Sequence, residues 1–513
     1  MPLPFVPYSP PSNVGGPGFC RRGEVRWAVI ALAIALASAA SSSRATDLGT
    51  LHFTNCDLED RRLSDVLEAQ CATLEVPENY DEPEGRKITL RIGLGKSQAS
   101  EPEADPVLFL AGGPGQSAVD AYPMIAGALS RIREKRNILL IDQRGTGESN
   151  TLKCVMPEAD EAQPVLMESP DAQTKLAADC AASLKDKADV RQYTTTVAIK
   201  DFEAVREAIG AKQWNLIGGS YGTRAAQVYA HYYPQSIRSM ILDGVVPAEH
   251  RLASGHARNL ENALNGIFER CRKAPECKAQ FGDPGAALEQ LKAELQRSPR
   301  EVSFRDPKTG EGKTQTLTYD ALVAVVRLFA YAPESAALIP WALNEAINNR
   351  ADVMMAQAQL VAGDLGESIT YGMQWSVMCS EDLPDVEPDP LDAKTLLGTA
   401  FVVQAKAQCA GWPRGERPAD FFAPMQSDIP TLLTSGEFDP VTPPSFGEQA
   451  AKGYTNGRHI VVKGRGHIVI GQGCMPRLAA EFVNDLKPKD LDTTCLDRFK
   501  PVPAFLNANG WTP

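Results

Sequence analysis

Short runs of uninterrupted apolar residues recur along the chain, and most are followed at once by a glycine-rich or acidic turn. Such runs are typical of strands buried on both faces of a parallel sheet. Between them, residues 196–209 carry apolar side chains at helical spacing and predict a helix. Nearer the N-terminus, 72–76 and 87–92 alternate in period two and predict an antiparallel edge hairpin. The predicted buried strands are 106–110, 137–141, 214–217, 239–242, 429–434 and 458–462.

This alternation of strands and helices predicts an α/β fold, a mostly parallel sheet with helices on both faces. Its ligand crevice should lie at the C-terminal ends of the strands. The alternation stops between 247 and 424, where the pattern indicates mainly amphipathic helices. Because this segment is too long for a loop, we interpret 247–424 as a helical cap inserted into the fold. The two parts of the core are then 40–246 and 425–513.

The N-terminal segment has the composition of a targeting sequence. Basic residues precede the apolar run 27–36, and the small residues Ala37, Ser38 and Ala39 follow it. This order predicts a signal peptide over 1–39. The apolar run is short for a membrane span, which favours cleavage over a permanent anchor. We therefore expect export to the periplasm or to the cell exterior.

Cysteine usage supports export. Of 11 cysteines, Cys20 lies within the predicted signal peptide, which leaves ten (11 − 1). None has the C-x-x-C spacing of metal sites, so disulfides are favoured over zinc. The hypothesis is pairing between sequence neighbours: Cys56 with Cys71, Cys154 with Cys180, Cys271 with Cys277, Cys379 with Cys409, and Cys474 with Cys495.

Composition limits the partners. The 513 residues are 43% hydrophobic, which is ample for a large core. Lys and Arg number 52 against 64 Asp and Glu, giving a net charge of −12 at pH 7. This charge argues against nucleic acid or an anionic membrane as a partner.

Residues 218–222 read Gly-Gly-Ser-Tyr-Gly and fit the pattern Gly-x-Ser-x-Gly. A predicted strand precedes them, and a helical pattern follows until Pro234. Glycines two positions either side of Ser220 remove the Cβ clashes of so tight a turn. The stretch therefore indicates a nucleophile elbow that exposes the Ser220 hydroxyl above a helix N-terminus. On these five residues alone, an incidental serine in a glycine-rich turn is the alternative.

A serine hydroxyl needs an imidazole to take its proton and a carboxylate to orient that imidazole. Asp439 and His467 each come just after a predicted buried strand, in the order serine, acid, histidine. We therefore predict Ser220, Asp439 and His467 as a catalytic triad. Asp243, also at a strand end, is the rival acid. Asp439 is preferred because its strand directly precedes that of the histidine.

Acyl transfer also needs backbone donors for the oxyanion of the tetrahedral intermediate. One should be the N–H of Tyr221, the residue after the nucleophile. The other should come from the glycine-rich loop 111–114. Pro114 has no N–H, so Gly113 is the expected donor.

Three motifs resemble those of the prolyl aminopeptidase family: Gly-Gly-Pro-Gly at 112–115, Asp-Gln-Arg-Gly-Thr-Gly at 142–147, and Gly-Gly-Ser-Tyr-Gly-Thr at 218–223. The stretch 436–467 looks like the C-terminal region of its tripeptidyl members. The resemblance implies a serine exopeptidase with an α/β-hydrolase fold, its cap inserted after the strand that follows the nucleophile helix. Ala111 departs from the histidine common before Gly-Gly in this family, so prolyl specificity does not follow.

The resemblance further implies that carboxylates of the cap grip the free α-ammonium group of the substrate. Glu381 and Asp382, beside Cys379, are the candidates. A carboxylate pair near a pocket would hold a cation and select against blocked N-termini. A solvated acidic turn is the alternative explanation of the same two residues.

These features predict an exported serine aminopeptidase of the prolyl or tripeptidyl type, which hydrolyses peptide bonds near a free N-terminus through an acyl-enzyme. Its partner is a peptide substrate, and no metal or organic cofactor is implied. An exported carboxylesterase or lipase with the same triad is one alternative, and a non-catalytic binding protein on the same fold is another. The sequence leaves open the preferred residue, the number of residues released and the oligomeric state, and it is compatible with a monomer.

Overall fold

The computed structural model describes residues 45–60, 65–155 and 169–511. The predicted signal peptide, 1–39, lies outside these ranges. Within them, no helix combines the length and the apolarity that crossing a bilayer would require.

Most of the strands join one large sheet. The strands of the described residues are β1 Thr46–Leu48, β2 Leu51–Asp60, β3 Asp65–Pro77, β4 Lys87–Gly95, β5 Val107–Leu110, β6 Ile138–Ile141, β7 Trp214–Gly219, β8 Ile237–Asp243, β9 Arg300–Arg305, β10 Gly312–Leu317, β11 Thr431–Gly436 and β12 Gly457–Val462. Ten of them form the sheet, in the order β1-β2-β3-β4-β6-β5-β7-β8-β11-β12. Neighbours from β6 through β5 to β12 run parallel, and those from β1 to β4 and on to β6 run antiparallel. The mostly parallel sheet predicted from the sequence is confirmed.

The predicted edge hairpin has the right pairing but the wrong position. Strands β3 and β4 pair antiparallel as expected. Strand β2, however, pairs with the other side of β3, and β1 forms the edge. The error arose because residues 51–60 mix apolar and charged side chains and were not recognised as a strand.

Helices cover both faces of the sheet. The helices are α1 Ala118–Arg133, α2 Pro170–Leu184, α3 Thr195–Ala208, α4 Tyr221–Tyr232, α5 His256–Lys273, α6 Pro275–Phe281, α7 Pro284–Arg297, α8 Tyr319–Phe329, α9 Pro333–Ala336, α10 Ile339–Ile347, α11 Asp352–Ser368, α12 Tyr371–Glu381, α13 Ala400–Gly411, α14 Pro444–Ala451 and α15 Met475–Asp485. Leu108 and Leu110 of β5 pack with α3 and α4, whereas Val107 and Phe109 pack with α1 and α15. Both faces are therefore buried, which explains the uninterrupted apolar run.

The chain leaves the sheet after β8 and returns to it at β11, which pairs directly with β8. The segment between them contains α5 to α13 and its own apolar cluster, built largely from α5, α7, α8 and α10. Its position agrees with the proposed cap, whose limits of 247–424 stay a prediction. One element was missed: β9 and β10 form a two-stranded hairpin inside this segment. Both strands are rich in polar residues, so they lack the apolar pattern of a buried strand.

The disulfide pairing predicted from sequence neighbours is confirmed. The bonds are Cys56–Cys71, Cys154–Cys180, Cys271–Cys277, Cys379–Cys409 and Cys474–Cys495. The bond Cys379–Cys409 ties α12 to α13 within the proposed cap.

Candidate active site

Ser220 is the single residue between β7 and α4, and its backbone has φ 55° and ψ −122°. A positive φ is uncommon for a residue other than glycine and costs of the order of 1–3 kcal/mol. A Cβ atom on Gly218 would lie 2.4 Å from the carbonyl oxygen of Gly222. One on Gly222 would lie 2.1 Å from the carbonyl oxygen of Leu110. Only glycine fits at these two places, and the turn has the geometry of a nucleophile elbow.

The strained serine stands at the N-terminus of α4 and is partly exposed. Its backbone N–H donates to the carbonyl oxygen of Asp243 at 2.9 Å, which fixes the elbow to the end of β8. The Thr223 N–H donates to the Ser220 carbonyl oxygen at 2.9 Å and closes the first turn of α4. The partial positive charge of a helix N-terminus favours negative charge developing near this serine.

Asp439 and His467 are in direct contact. Nδ1 of His467 lies 2.8 Å from Oδ2 of Asp439, and the Asp439 side chain has 0% exposure against 10% for His467. Oδ1 of Asp439 accepts the backbone N–H groups of Val441 and Thr442 at 2.9 and 2.8 Å. The Thr442 hydroxyl donates to Oδ2 at 2.8 Å. A carboxylate only accepts hydrogen bonds, so the proton of the neutral imidazole belongs on Nδ1 and Nε2 is left as an acceptor.

The electrostatics favour a positive imidazole. Burial lowers the pKa of His467, but the charge of Asp439, its hydrogen bond and the charge of Asp243 outweigh burial, and the net shift is upward. The site therefore stabilises the imidazolium that proton transfer from a serine would create.

Two further contacts place the imidazole. A Cβ atom on Gly244, directly after β8, would lie 3.1 Å from Cε1 of His467. The backbone N–H of His467 donates to the carbonyl oxygen of Tyr331 at 2.7 Å, and the two rings meet edge to face with centroids 5.4 Å apart. Tyr331 follows α8 in the proposed cap. The imidazole thus borders the end of β8, to which the Ser220 backbone is also bonded.

The rival acid Asp243 is bonded elsewhere. Its carboxylate accepts hydrogen bonds from the hydroxyl of Thr434 and from the backbone N–H groups of Val469 and Ile470. The carboxylate that bonds the imidazole is that of Asp439, and the role of Asp439 as the catalytic acid stays a prediction.

The loop that carries Gly113, one of the two predicted oxyanion donors, lies beside the elbow. A Cβ atom on Gly112 would lie 3.3 Å from Cβ of Ser220, so the loop packs against the elbow. The Gly112 N–H donates to Oε1 of Gln116 at 3.2 Å. Within the described ranges, no hydrogen bond uses the N–H of exposed Gly113 or of Tyr221. Both N–H groups are free to bind an oxygen, and their role stays a prediction.

The second shared motif, 142–147, supports the structure. Arg144 forms a buried two-pronged ion pair with Asp201, with both N–O distances 2.7 Å. The Asp142 carboxylate accepts the Ser117 hydroxyl at 2.6 Å at the start of α1. Burial raises the pKa of Asp142 to about 6, against the opposing effect of that hydrogen bond. These side chains hold loops and helices around the site.

Glu381 is fully buried beneath the elbow. Its carboxylate accepts both the backbone N–H and the hydroxyl of Thr195, the first residue of α3. Because the Thr195 hydroxyl proton goes to Glu381, the Tyr221 hydroxyl donates to the Thr195 oxygen at 2.7 Å, and it accepts a hydrogen bond from the Gln143 amide at 3.1 Å. Burial and, as a smaller effect, the neighbouring charge of Asp382 together raise the pKa of Glu381 to about 8.

Asp382 is equally buried, with the side chain of Arg224 3.0 Å away as its ion-pair partner. The same carboxylate oxygen accepts the Leu252 N–H at 2.8 Å. Both side chains are buried and engaged by other residues, but Oδ2 of Asp382 has no hydrogen-bond partner among the described residues. The ammonium grip by Glu381 and Asp382 stays a prediction. The burial of both residues argues against the alternative of a solvated acidic turn.

Some supporting residues were missed from the sequence. The Asp439–Thr442 contacts form a turn in which an aspartate accepts N–H groups two and three residues on, and the sequence Asp-Pro-Val-Thr carried that signal. The Tyr331 contact uses a backbone carbonyl, and no sequence pattern marks it.

Profiles of two protein families match the chain: "alpha/beta hydrolase fold" over residues 105–278 and "TAP-like protein" over 395–495. The second match begins inside the proposed cap. Serine protease Hip1 of Mycobacterium tuberculosis (strain ATCC 25618 / H37Rv) is 26% identical over 461 residues, 82% of this chain and 86% of that protein. Tripeptidyl aminopeptidase of Streptomyces coelicolor is 30% identical over 190 residues, 34% of this chain and 35% of that protein. Carboxylesterase B of Mycobacterium tuberculosis (strain CDC 1551 / Oshkosh) is 30% identical over 273 residues, which are 48% of this chain and 52% of that protein.

Proposed function

This chain belongs to the α/β-hydrolase family and carries a TAP-like region, and from that premise we propose that it is an exported serine aminopeptidase that cleaves peptides near a free N-terminus. The observation that carries the proposal is the buried Asp439–His467 pair at the sheet edge that also holds Ser220 in a strained elbow. This combination supports nucleophilic acyl transfer.

In the proposed reaction, the Ser220 hydroxyl gives its proton to Nε2 of His467 as its oxygen attacks the peptide carbonyl carbon. Asp439 stabilises the imidazolium. The carbonyl oxygen becomes an oxyanion that accepts the N–H groups of Gly113 and Tyr221, each typically contributing about 3 kcal/mol. The imidazolium then protonates the leaving amine as the C–N bond breaks, which leaves an acyl group on Ser220. Water then attacks the acyl carbon while His467 takes a proton from it; the acyl–oxygen bond to Ser220 breaks, the Ser220 oxygen regains that proton from His467, and the acyl group leaves as a free acid.

Restricted access supports cleavage near a chain end. The segment between α11 and α12 passes over the oxyanion loop, where the Thr370 N–H donates to the Gly115 carbonyl oxygen at 2.9 Å. Ile369 forms an isolated antiparallel bridge with Gln116 beside it. Tyr331 contacts His467 from another part of the cap. Cap residues thus border both the predicted oxyanion loop and the predicted base.

The names of the relatives support a peptidase: a serine protease aligned over most of the chain and a tripeptidyl aminopeptidase aligned over part of it. The carboxylesterase relative favours the esterase as the second candidate. Glu381 and Asp382 are buried, so the proposed reaction does not depend on their predicted grip on the substrate ammonium group. Five disulfides support export, since such bonds persist in oxidising compartments.

The test compares the purified wild type with Ser220→Ala and with the control Ser298→Ala, which changes an exposed serine at the end of α7. Substrates are chromogenic mono-, di- and tripeptides with free or acetylated N-termini, and a simple acyl ester. We expect hydrolysis of free-amine peptides by the wild type and the control, and a loss of about a million-fold in kcat for Ser220→Ala.

A fluorophosphonate probe should label the wild type and Ser298→Ala but leave Ser220→Ala unlabelled. Equal rates on acetylated and free peptides would reject the aminopeptidase assignment. Turnover of the ester alone would select the esterase. If the wild type is neither labelled nor active on any substrate, the enzyme assignment is rejected and the non-catalytic binding protein is the remaining alternative.

A further inference from the structure

Resting on the proposed function, we propose that Asp243 is a positioning residue that holds the nucleophile elbow and the histidine loop in one register. It is not the acid of the triad, and the proposed reaction makes no direct use of it. Its side chain is 1% exposed at the end of β8.

The carboxylate of Asp243 anchors the chain directly after His467. Oδ1 and Oδ2 accept the Val469 N–H at 3.0 and 2.9 Å, and Oδ2 also accepts the Ile470 N–H at 2.8 Å. The residue between the histidine and this anchor, Ile468, has φ 67°. Positive φ is a marked outlier for a β-branched residue, so the loop needs external contacts to keep this shape.

The backbone of Asp243 holds the other reacting group. Its carbonyl oxygen accepts the Ser220 N–H at 2.9 Å. The next residue, Gly244, donates its N–H to the Thr434 carbonyl oxygen at 3.0 Å and packs against the imidazole of His467. One residue therefore fixes the elbow through its main chain and the histidine loop through its side chain.

Thr434 completes the arrangement from β11, the strand that leads to Asp439. Its hydroxyl donates to Oδ1 of Asp243 at 2.8 Å. Burial raises the pKa of Asp243, and the hydrogen bonds from Ile470, Thr434 and Val469 and the charge of His467 oppose that rise. These three donors converge on two carboxylate oxygens and favour the ionised form, because a carboxylate only accepts. Among the ion pairs of the described chain, none joins Asp243 to a lysine or arginine. The carboxylate is satisfied by neutral donors, in the manner of an anion bound by backbone N–H groups.

A charge at this place acts on the base as well as on the loop. The titratable groups that face His467 are the carboxylates of Asp439 and Asp243, the imidazole of His256 and the phenol of Tyr331. Burial lowers the pKa of His467, Asp439 raises it, and the charge of Asp243 raises it further. Loss of the charge at 243 should therefore lower the pKa of His467, whereas loss of a structural contact alone should not.

The experiment uses Asp243→Asn, which removes the charge, and Thr434→Val, which removes only the hydroxyl donor. For both variants, kcat and KM are measured as a function of pH on a free-amine chromogenic peptide, with Ser220→Ala as the inactive baseline. For Asp243→Asn we expect kcat to fall by about 10²-fold with little change in KM, because the reacting groups are displaced but binding is not. The acidic limb of the profile of kcat/KM against pH, which reports the pKa of His467 in the free enzyme, should also move to lower pH.

Thr434→Val should lower kcat several-fold and leave the acid limb in place. An unmoved acid limb in folded Asp243→Asn, or a rise in KM with kcat retained, would overturn the proposal. If Asp243→Asn fails to fold, Thr434→Val decides, and wild-type kcat in that variant would refute the role. Failure of the proposed function is a separate result: there, wild type and Ser220→Ala would not differ, and both proposals would fall.

Discussion

Replacing Asp439 by asparagine exchanges one carboxylate oxygen for an NH2 group, and the structure determines which one. Oδ1 accepts the N–H groups of Val441 and Thr442 at 2.9 and 2.8 Å, so the amide oxygen must remain there. The NH2 group then takes the place of Oδ2, 2.8 Å from Nδ1 of His467.

An amide NH2 can only donate, so Nδ1 has to become the acceptor. The imidazole proton then moves to Nε2, the nitrogen that should receive the proton of Ser220. By analogy with other triads, this wrong tautomer lowers kcat by about 10⁴-fold. At 1.36 kcal/mol for each factor of ten, the activation free energy rises by about 5.4 kcal/mol.

The assay is kcat and KM for Asp439→Asn on a free-amine chromogenic peptide, with circular dichroism to confirm folding. KM should stay near the wild-type value, since Asp439 is buried and makes no contact with substrate in the proposed reaction. Asp243→Asn is the matched control, with an expected loss of only about 10²-fold. Near-normal activity in Asp439→Asn together with a 10⁴-fold loss in Asp243→Asn would refute the reasoning and move the acid to Asp243.

Three other predictions concern the structure around the site. Burial raises the pKa of Glu381 to about 8 from 4.5, so the proton it holds stabilises the fold fully below about pH 4.5, and that stability is lost as pH rises through about 8. Glutamine resembles the protonated acid, so the melting temperature of Glu381→Gln should rise relative to that of the wild type as pH increases. A difference in melting temperature that stays constant with pH would contradict this. A methyl group on Gly222 would lie 2.1 Å from a backbone oxygen of β5, so Gly222→Ala should lower kcat by at least about 10²-fold. Gly127 has open space around it, and the control Gly127→Ala should keep the wild-type kcat. Equal kcat values in the two variants would contradict the elbow. Removing the Cys379–Cys409 bond, which spans 30 residues, should lower the free energy of unfolding by about 3–4 kcal/mol in a denaturant titration, and an unchanged midpoint would count against it.

The elbow and the acid–histidine pair could be predicted because local chemistry marks them. Gly218 and Gly222 are required by contacts within a few residues or with the adjacent strand, and this requirement is visible as a five-residue pattern. Asp439 and His467 follow buried strands, and parallel strands that are neighbours in a sheet bring their C-terminal ends together. The disulfides were predictable because each joins sequence neighbours.

The contacts that could not be predicted involve partners distant in sequence. Two adjacent carboxylates in the cap suggested a cation site, but Thr195 engages Glu381 and Arg224 engages Asp382, and nothing near 381 or 382 in the sequence announces either partner. The same holds for Asp243, whose partners in the histidine loop are backbone N–H groups. Every residue except proline has a backbone N–H group, so a hydrogen bond from the main chain leaves no recognisable pattern in the sequence.

The hydrogen bond from the backbone of His467 to the carbonyl oxygen of Tyr331 has a consequence for anyone who would redesign this protein. For the proposed aminopeptidase, exchange of the proposed cap is a route to altering which chain ends are accepted. A graft that removed that carbonyl group would also release the loop that carries His467, the predicted base, and turnover should then fall for every substrate alike. A transplanted cap must therefore bring an acceptor to the same point, whatever else it changes.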